Sequence, residues 1–179
     1  MTRCALVIGH KKNSPGAGNQ NAGISEFTFN DQLAHAIEKE VDKISQSSIE
    51  VQRIYRRTYS TLPSDINEYQ PDFIISLHCN AYNRTASGTE VLYYHRSSKG
   101  KELANILQQQ LLSALQLKDR GIKSRTTEDR GGYLLKNTNA PCLISEPFFI
   151  DNDQDLEIVN RNYEKLIAAY AKAISNMAK

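Results

Sequence analysis

Phe73-Ile74-Ile75-Ser76-Leu77-His78-Cys79-Asn80-Ala81 sets the reading of the fold. Five residues without a charge follow Pro71-Asp72 and stop at a histidine. A run this short, bounded by turn and polar residues, has the length of a strand buried on both faces rather than of a helix. Two other stretches repeat the pattern. Cys4-Ala5-Leu6-Val7-Ile8 runs into Gly9-His10, and Cys142-Leu143-Ile144, introduced by Pro141, runs into Ser145-Glu146. Between these strands the continuous apolar runs give way to a period of 3.6. Ala34, Ile37, Val41 and Ile44 recur at helical spacing from about Glu26, as do Leu103, Ile106, Leu107, Leu111, Ala114 and Leu115. Leu156, Val159, Tyr163, Leu166, Ile167, Tyr170 and Ile174 predict one long closing helix. Ile49 to Ile54 and Gly88 to Tyr94 complete the strands. Pro63 to Tyr69 reads as an irregular or short helical connection, the segment from His10 to Asn21 as a long loop, and the polar, glycine-containing Lys118 to Gly132 as a surface loop. Strands alternating with helices predict a single α/β domain over residues 1–179, with a twisted, mainly parallel sheet and helices on both faces.

The composition agrees with such a domain. In 179 residues, 40% are hydrophobic and 23% charged, and no apolar run approaches the length of about 18 residues that a membrane span needs. The net charge of +2 is too small for a nucleic-acid footprint, while a weakly basic surface favours an anionic polymer such as a cell wall. Cys4, Cys79 and Cys142 are odd in number and far apart, so they form neither a zinc knuckle nor a disulfide framework and are expected to be reduced and buried. Met1-Thr2-Arg3 precedes only five apolar residues, too few for a signal peptide. The expectation is synthesis in the cytoplasm without an export signal.

The chemistry is expected where the strands end, because ligands of open α/β sheets bind at the carboxyl edge. His10, His78 and Glu146 each follow a predicted strand, and Glu26, in the first turn of the helix after the His10 loop, folds back toward the same edge. Two imidazoles and a carboxylate, with one position left for water, make the donor set of a catalytic zinc site. Glu146 is then left as a base. The plainer alternative is that each histidine is a hydrogen-bonded strand-end residue, since no local motif ties the four together. His35, nine positions after Glu26, is half a turn out of phase at about 100° per residue and faces away. Cys79 alternates to the opposite face from His78, and His95 reads as solvated. Glu90 stands on a strand beside the site, as a hydrogen-bond partner or a second acid. Arg120, Lys123, Arg125 and Arg130 offer cations to an anionic substrate.

Four strings taken together resemble a known family: Val7-Ile8-Gly9-His10, Ser25-Glu26, Ile75-Ser76-Leu77-His78-Cys79-Asn80-Ala81, and Leu143-Ile144-Ser145-Glu146-Pro147-Phe148-Phe149-Ile150-Asp151-Asn152. The chain resembles the zinc-dependent N-acetylmuramoyl-L-alanine amidases of bacterial cell walls and phage endolysins, and Gly88-Thr89-Glu90-Val91 resembles the family strand that follows. The resemblance implies that His10, Glu26 and His78 bind Zn²⁺ and that Glu146 is the catalytic glutamate. It also implies a peptidoglycan substrate, cleaved between N-acetylmuramic acid and the L-alanine of the stem peptide. Lys11 and Lys12 replace the family's glycines, and Pro147 stands in the usual Gly-Phe pair, which alters the loop beside the metal without removing a ligand. The segment Lys118 to Tyr133 is similar to the family's variable stretch. Two rival readings stand beside this one: a zinc peptidase or aminoacylase acting on another amide, and a wall-binding module without catalysis. With no recognisable wall-targeting repeat, targeting is expected from the catalytic domain or a partner, and the chain reads as a phage-type lysin or a fragment of a larger enzyme.

Overall fold

The computed structural model describes all 179 residues, and no helix in it is long and apolar enough to cross a membrane. The elements run β1 (Thr2–Ile8), β2 (Gly18–Asn19), β3 (Ile24–Ser25), α1 (Glu26–Ser45), β4 (Ile49–Tyr55), α2 (Leu62–Tyr69) and β5 (Phe73–Leu77). They continue as β6 (Thr89–Tyr94), α3 (Ser98–Leu115), β7 (Asp119–Arg125), α4 (Gly132–Asn137), β8 (Cys142–Glu146), α5 (Asp153–Arg161) and α6 (Tyr163–Met177). Six strands form one sheet in the order β4-β1-β5-β8-β6-β7, and β2 pairs with β3 in a small hairpin. Every pairing in the large sheet is parallel except β6 with β8. The carboxyl ends of β1, β5 and β8 therefore share an edge with the start of β6.

The alternation of side chains sorts the core into two layers. Cys4, Leu6 and Ile8 of β1 and Phe73, Ile75 and Leu77 of β5 pack under α1, α3 and α6. Ala5, Val7, Ile74 and Ile144 face the short helices α2 and α4 through Leu62, Ile66, Leu134 and Leu135. Helix α1 begins because Ser25 caps it, its Oγ accepting from the Thr28 amide at 3.2 Å. Phe29, Leu33, Ile37 and Val41 form its buried stripe, each stabilising by about 2 kcal/mol on removal from water.

Two expectations change, and one that was open between an irregular and a short helical connection resolves to the helix. The run from Lys118 to Gly132 is not loop throughout: β7 occupies its first half and α4 starts at Gly132. As an edge strand bonded only to β6, β7 carries just one aliphatic residue, Ile122, and Gly121 sits at φ +76 where the register slips, so no apolar run announces it. Pro63 to Tyr69 is a regular helix, with proline tolerated in its first turn. The closing helix is two: at Asn162 the backbone leaves helical geometry (φ −112, ψ 22), while its side-chain amide donates to Ile158 O at 2.9 Å. That local bond competes with the helix.

Candidate metal centre

The edge shared by β1 and β5 is built for close approach. The Gly9 amide donates to Leu77 O at 2.9 Å, and a Cβ on Gly9 would lie 2.7 Å from the His78 ring. His10 then takes the left-handed conformation, φ 65, at a cost of about 1 kcal/mol for a residue with a Cβ. Gly16, also left-handed at φ +79, leaves room that a Cβ would fill at 2.7 Å from both Glu26 Oε2 and the His10 ring. Glu26 is the first residue of α1, where the helix dipole favours negative charge.

These constraints bring three side chains together. His78 Nδ1 lies 2.9 Å from Glu26 Oε1, and His10 Nε2 lies 3.2 Å from Glu26 Oε2. One ligating atom from each of His10, Glu26 and His78 falls within 4.8 Å of the others. Glu26 is 1% exposed, and its carboxylate also accepts from the amides of Cys79 (3.1 Å) and Ala17 (3.2 Å). Burial works to raise the Glu26 carboxyl pKa, but the bonds and charges of His10 and His78 outweigh it and hold the group well below the usual range. Glu26 is therefore an anion near neutral pH. The three groups fit a divalent cation: two imidazoles and one carboxylate converge, and His10 Nε2 is buried without a hydrogen bond of its own, approaching Glu26 in poor hydrogen-bonding geometry.

Glu146 ends β8 and lines the same cavity as His10 and His78, a cleft of about 600 Å³. Its Oε2 is buried and unpartnered. Burial above all, then the carboxylates of Glu26 and Glu90, push its pKa up to about 8, against the pull of Arg130 and Arg125. Glu90 faces it directly across the antiparallel β6–β8 pair. Like charges there are kept from open repulsion because Glu90 is committed elsewhere, to Arg120 Nε at 2.9 Å and to Asn80 Nδ2 at 2.9 Å.

The residues set aside on sequence grounds lie away from this cluster. His35 bonds Asp31 O and Arg53 on the exposed side of α1. His95 is exposed against Tyr94. Cys79 turns to the other face, within 3.6 Å of Asn30 Nδ2, and all three cysteines are free and buried. What sequence reasoning missed is the opposite wall of the cleft: Arg56 and Tyr59, beyond β4, and Tyr133, in α4. Polar residues in connections carry no periodic signal. Only the fold brings them within reach of Glu146.

The sequence profile of the N-acetylmuramoyl-L-alanine amidases matches residues 4–176. The chain belongs to that family. An uncharacterized cell wall amidase of Bacillus anthracis is 33% identical over 92 residues, 47% of this chain and 16% of that protein. The N-acetylmuramoyl-L-alanine amidase LytC of Bacillus subtilis is 27% identical over 166 residues, 88% of this chain and 32% of that protein. The chain thus spans well under half the length of these relatives. The crystal structure of an N-acetylmuramoyl-L-alanine amidase from Clostridium difficile 630 superimposes with a TM-score of 0.83 at 21% identity, covering 98% of this chain and 95% of that one. That likeness establishes the amidase fold of the family for this chain.

Proposed function

We propose that residues 1–179 form a zinc-dependent amidase domain that acts on the cell wall, hydrolysing the amide between N-acetylmuramic acid and the L-alanine of the peptidoglycan stem peptide. The observation that carries this reading is the convergence of His10, Glu26 and His78 within 4.8 Å beside a cleft that also holds Glu146, in a chain of this family. His10, Glu26 and His78 would hold the zinc. Bound there, the ion supplies Lewis acidity, polarising an amide carbonyl and acidifying water toward a pKa of about 7.

The chain's own groups divide the rest of the work. Glu26, kept anionic by two backbone amides and two imidazoles, cancels part of the cation's charge and fixes the orientation of both histidines. Glu146, whose environment raises its proton affinity, takes a proton from the attacking water and returns it to the departing alanine nitrogen. With a dication held by His10, Glu26 and His78, the proton affinity of Glu146 would be drawn down again, which favours its role as the base. Arg120 and Asn80 keep Glu90 from competing for the same proton.

Purified peptidoglycan is the test substrate, digested with and without chelator. Chelator-sensitive release of stem peptides with a new L-alanine amino terminus, read by mass spectrometry, is the expected result. Cleavage elsewhere in the peptide moves the assignment to a zinc peptidase. An intact wall with a zinc-loaded protein refutes the substrate.

A further inference from the structure

The cleft beside the metal centre carries more positive charge than the proposed chemistry uses. Of ten arginines in the chain, five stand in ion pairs with carboxylates: Arg3, Arg53, Arg57, Arg120 and Arg161. Three of the other five, Arg56, Arg125 and Arg130, line this one cleft. Arg56 and Arg125 are only partly exposed, so their guanidinium groups have lost some water without gaining a carboxylate. The other carboxylates lining the cleft do not serve them. Glu90 is held by Arg120 and Asn80, and Asp129 turns to the Thr126 amide (2.6 Å) and hydroxyl (3.0 Å). Glu146 feels Arg130 and Arg125 through space without a bond to either.

The geometry is that of a groove laid across the sheet. Leu92 and Ile144, paired across β6 and β8, line it together with His78 and Glu146. One flank is the segment after β4, with Arg56 and Tyr59, and the other is the end of β7 with the segment after it, carrying Arg125 and Arg130. Tyr59 and Tyr133 join the flanks, their ring centroids 5.5 Å apart, and Tyr133 Oη donates to Ser60 O at 3.0 Å. A fork of unpaired guanidinium donors on an aromatic wall suits a planar carboxylate. The cleft of about 600 Å³ holds the three arginines together with His10, His78 and Glu146, so a peptide whose amide lies at the metal centre shares it with them.

We propose that Arg56, Arg125 and Arg130 form a carboxylate-reading subsite that selects stem peptides whose second residue, a γ-linked glutamate, keeps its α-carboxylate free over those in which it is amidated. The proposal rests on the peptidoglycan reading for the identity of the peptide, but its test does not require turnover. The probes are two C-terminally amidated peptides, L-alanyl-γ-D-glutamyl-L-lysine and the same peptide with the glutamyl α-carboxylate converted to amide. Each is titrated calorimetrically into the metal-free protein, and each is also presented to the zinc-loaded protein as a muramoyl peptide.

A charge-assisted pair of this kind is expected to give the free acid at least a tenfold advantage in affinity. Arg125→Gln and Arg56→Gln, each alone, should shrink that ratio to about twofold while leaving the amidated peptide's affinity unchanged, and Arg125→Lys should restore part of it. Arg130→Gln, at an exposed position, provides a variant with little risk to folding. A structural role would weaken both peptides alike. Equal affinity of the two peptides for the unsubstituted protein, or a ratio that survives all three glutamine variants, overturns the subsite. Discrimination in binding without hydrolysis of either muramoyl peptide overturns the amidase reading and leaves the subsite standing.

Discussion

Replacing Glu26 with glutamine exchanges one carboxylate oxygen for an amino group and should cost both stability and the metal. The carboxylate accepts from the Cys79 amide at 3.1 Å, the Ala17 amide at 3.2 Å and His78 Nδ1 at 2.9 Å. Glutamine has a single acceptor oxygen, and its nitrogen only donates. Whichever way it turns, one backbone N–H in a site 1% exposed is left facing another donor. A stranded buried donor costs about 2 kcal/mol, and exchanging the charge-assisted bond to His78 for a neutral one costs about 1 kcal/mol more. Relief from burying a charge works the other way, yet the strongly lowered pKa of Glu26 shows that its partners outweigh burial.

The net loss of about 3 kcal/mol corresponds to a fall of about 6–12 °C in Tm for a domain of this size. The sign with pH follows from the same shift. A depressed folded pKa contributes stability above the unfolded value, near 4.5, that disappears as pH falls through the folded value. The gap between the two proteins should therefore be full at pH 7 and close in acid. Calorimetry of chelated protein reads the Tm, and elemental analysis reads the zinc, which should raise the Tm of the unsubstituted chain but not of the variant. A variant melting within about 2 °C of the parent at pH 7, or holding one equivalent of zinc, refutes the reasoning.

Other expectations concern the neighbours of this group. Glu146→Gln should keep the metal and lose about 10²–10⁴-fold in turnover on peptidoglycan; substantial residual turnover removes Glu146 from its role. In chelated protein, Glu146 titrates near 8 instead of 4.5, so its stability contribution is whole below about pH 4.5 and eroded as pH rises toward 8. Glu146→Gln should accordingly flatten the fall of Tm between about pH 5 and 8, and an unchanged slope contradicts the raised pKa. His78→Ala should fold and lose zinc, a point settled by metal content. Asp155, 1% exposed, accepts from Ser87 Oγ and from the Gly88 and Phe149 amides, and so ties the entry of β6 to the exit of β8. Asp155→Ala should cost about 3 kcal/mol, measurable by urea denaturation; a loss under about 1 kcal/mol shows that water replaces it.

How much of this was legible depends on where each residue takes its stabilisation. Strands β1, β5 and β8 are buried on both faces, so burial selects uncharged residues one after another and the runs Cys4–Ile8, Phe73–Leu77 and Cys142–Ile144 mark them. Helices α1 and α3 bury one stripe, and the stripe is written at 3.6-residue spacing. Because the site hangs from the ends of those same strands, His10, His78 and Glu146 stand out in the chain itself, and Ser25 marks the helix start that carries Glu26.

What the tertiary structure alone decided lies at the margins of the sheet and across its face. Strand β7 draws its order from bonds to one neighbour and needs no apolar run, and the break at Asn162 comes from a single side chain bonding its own backbone. The 4.8 Å convergence of three residues from separate elements needs Gly9 and Gly16 to leave room, and the partners of Gly9, Leu77 and His78, are far away in sequence. Arg56 is an ordinary polar residue until the segment after β4 folds over the face of the sheet that Arg125, at the end of β7, also lines. Local chain physics wrote the strands, helices and ligand types into the sequence, whereas the cleft, its charge and the proton affinity of Glu146 arise from groups that only long-range packing makes neighbours.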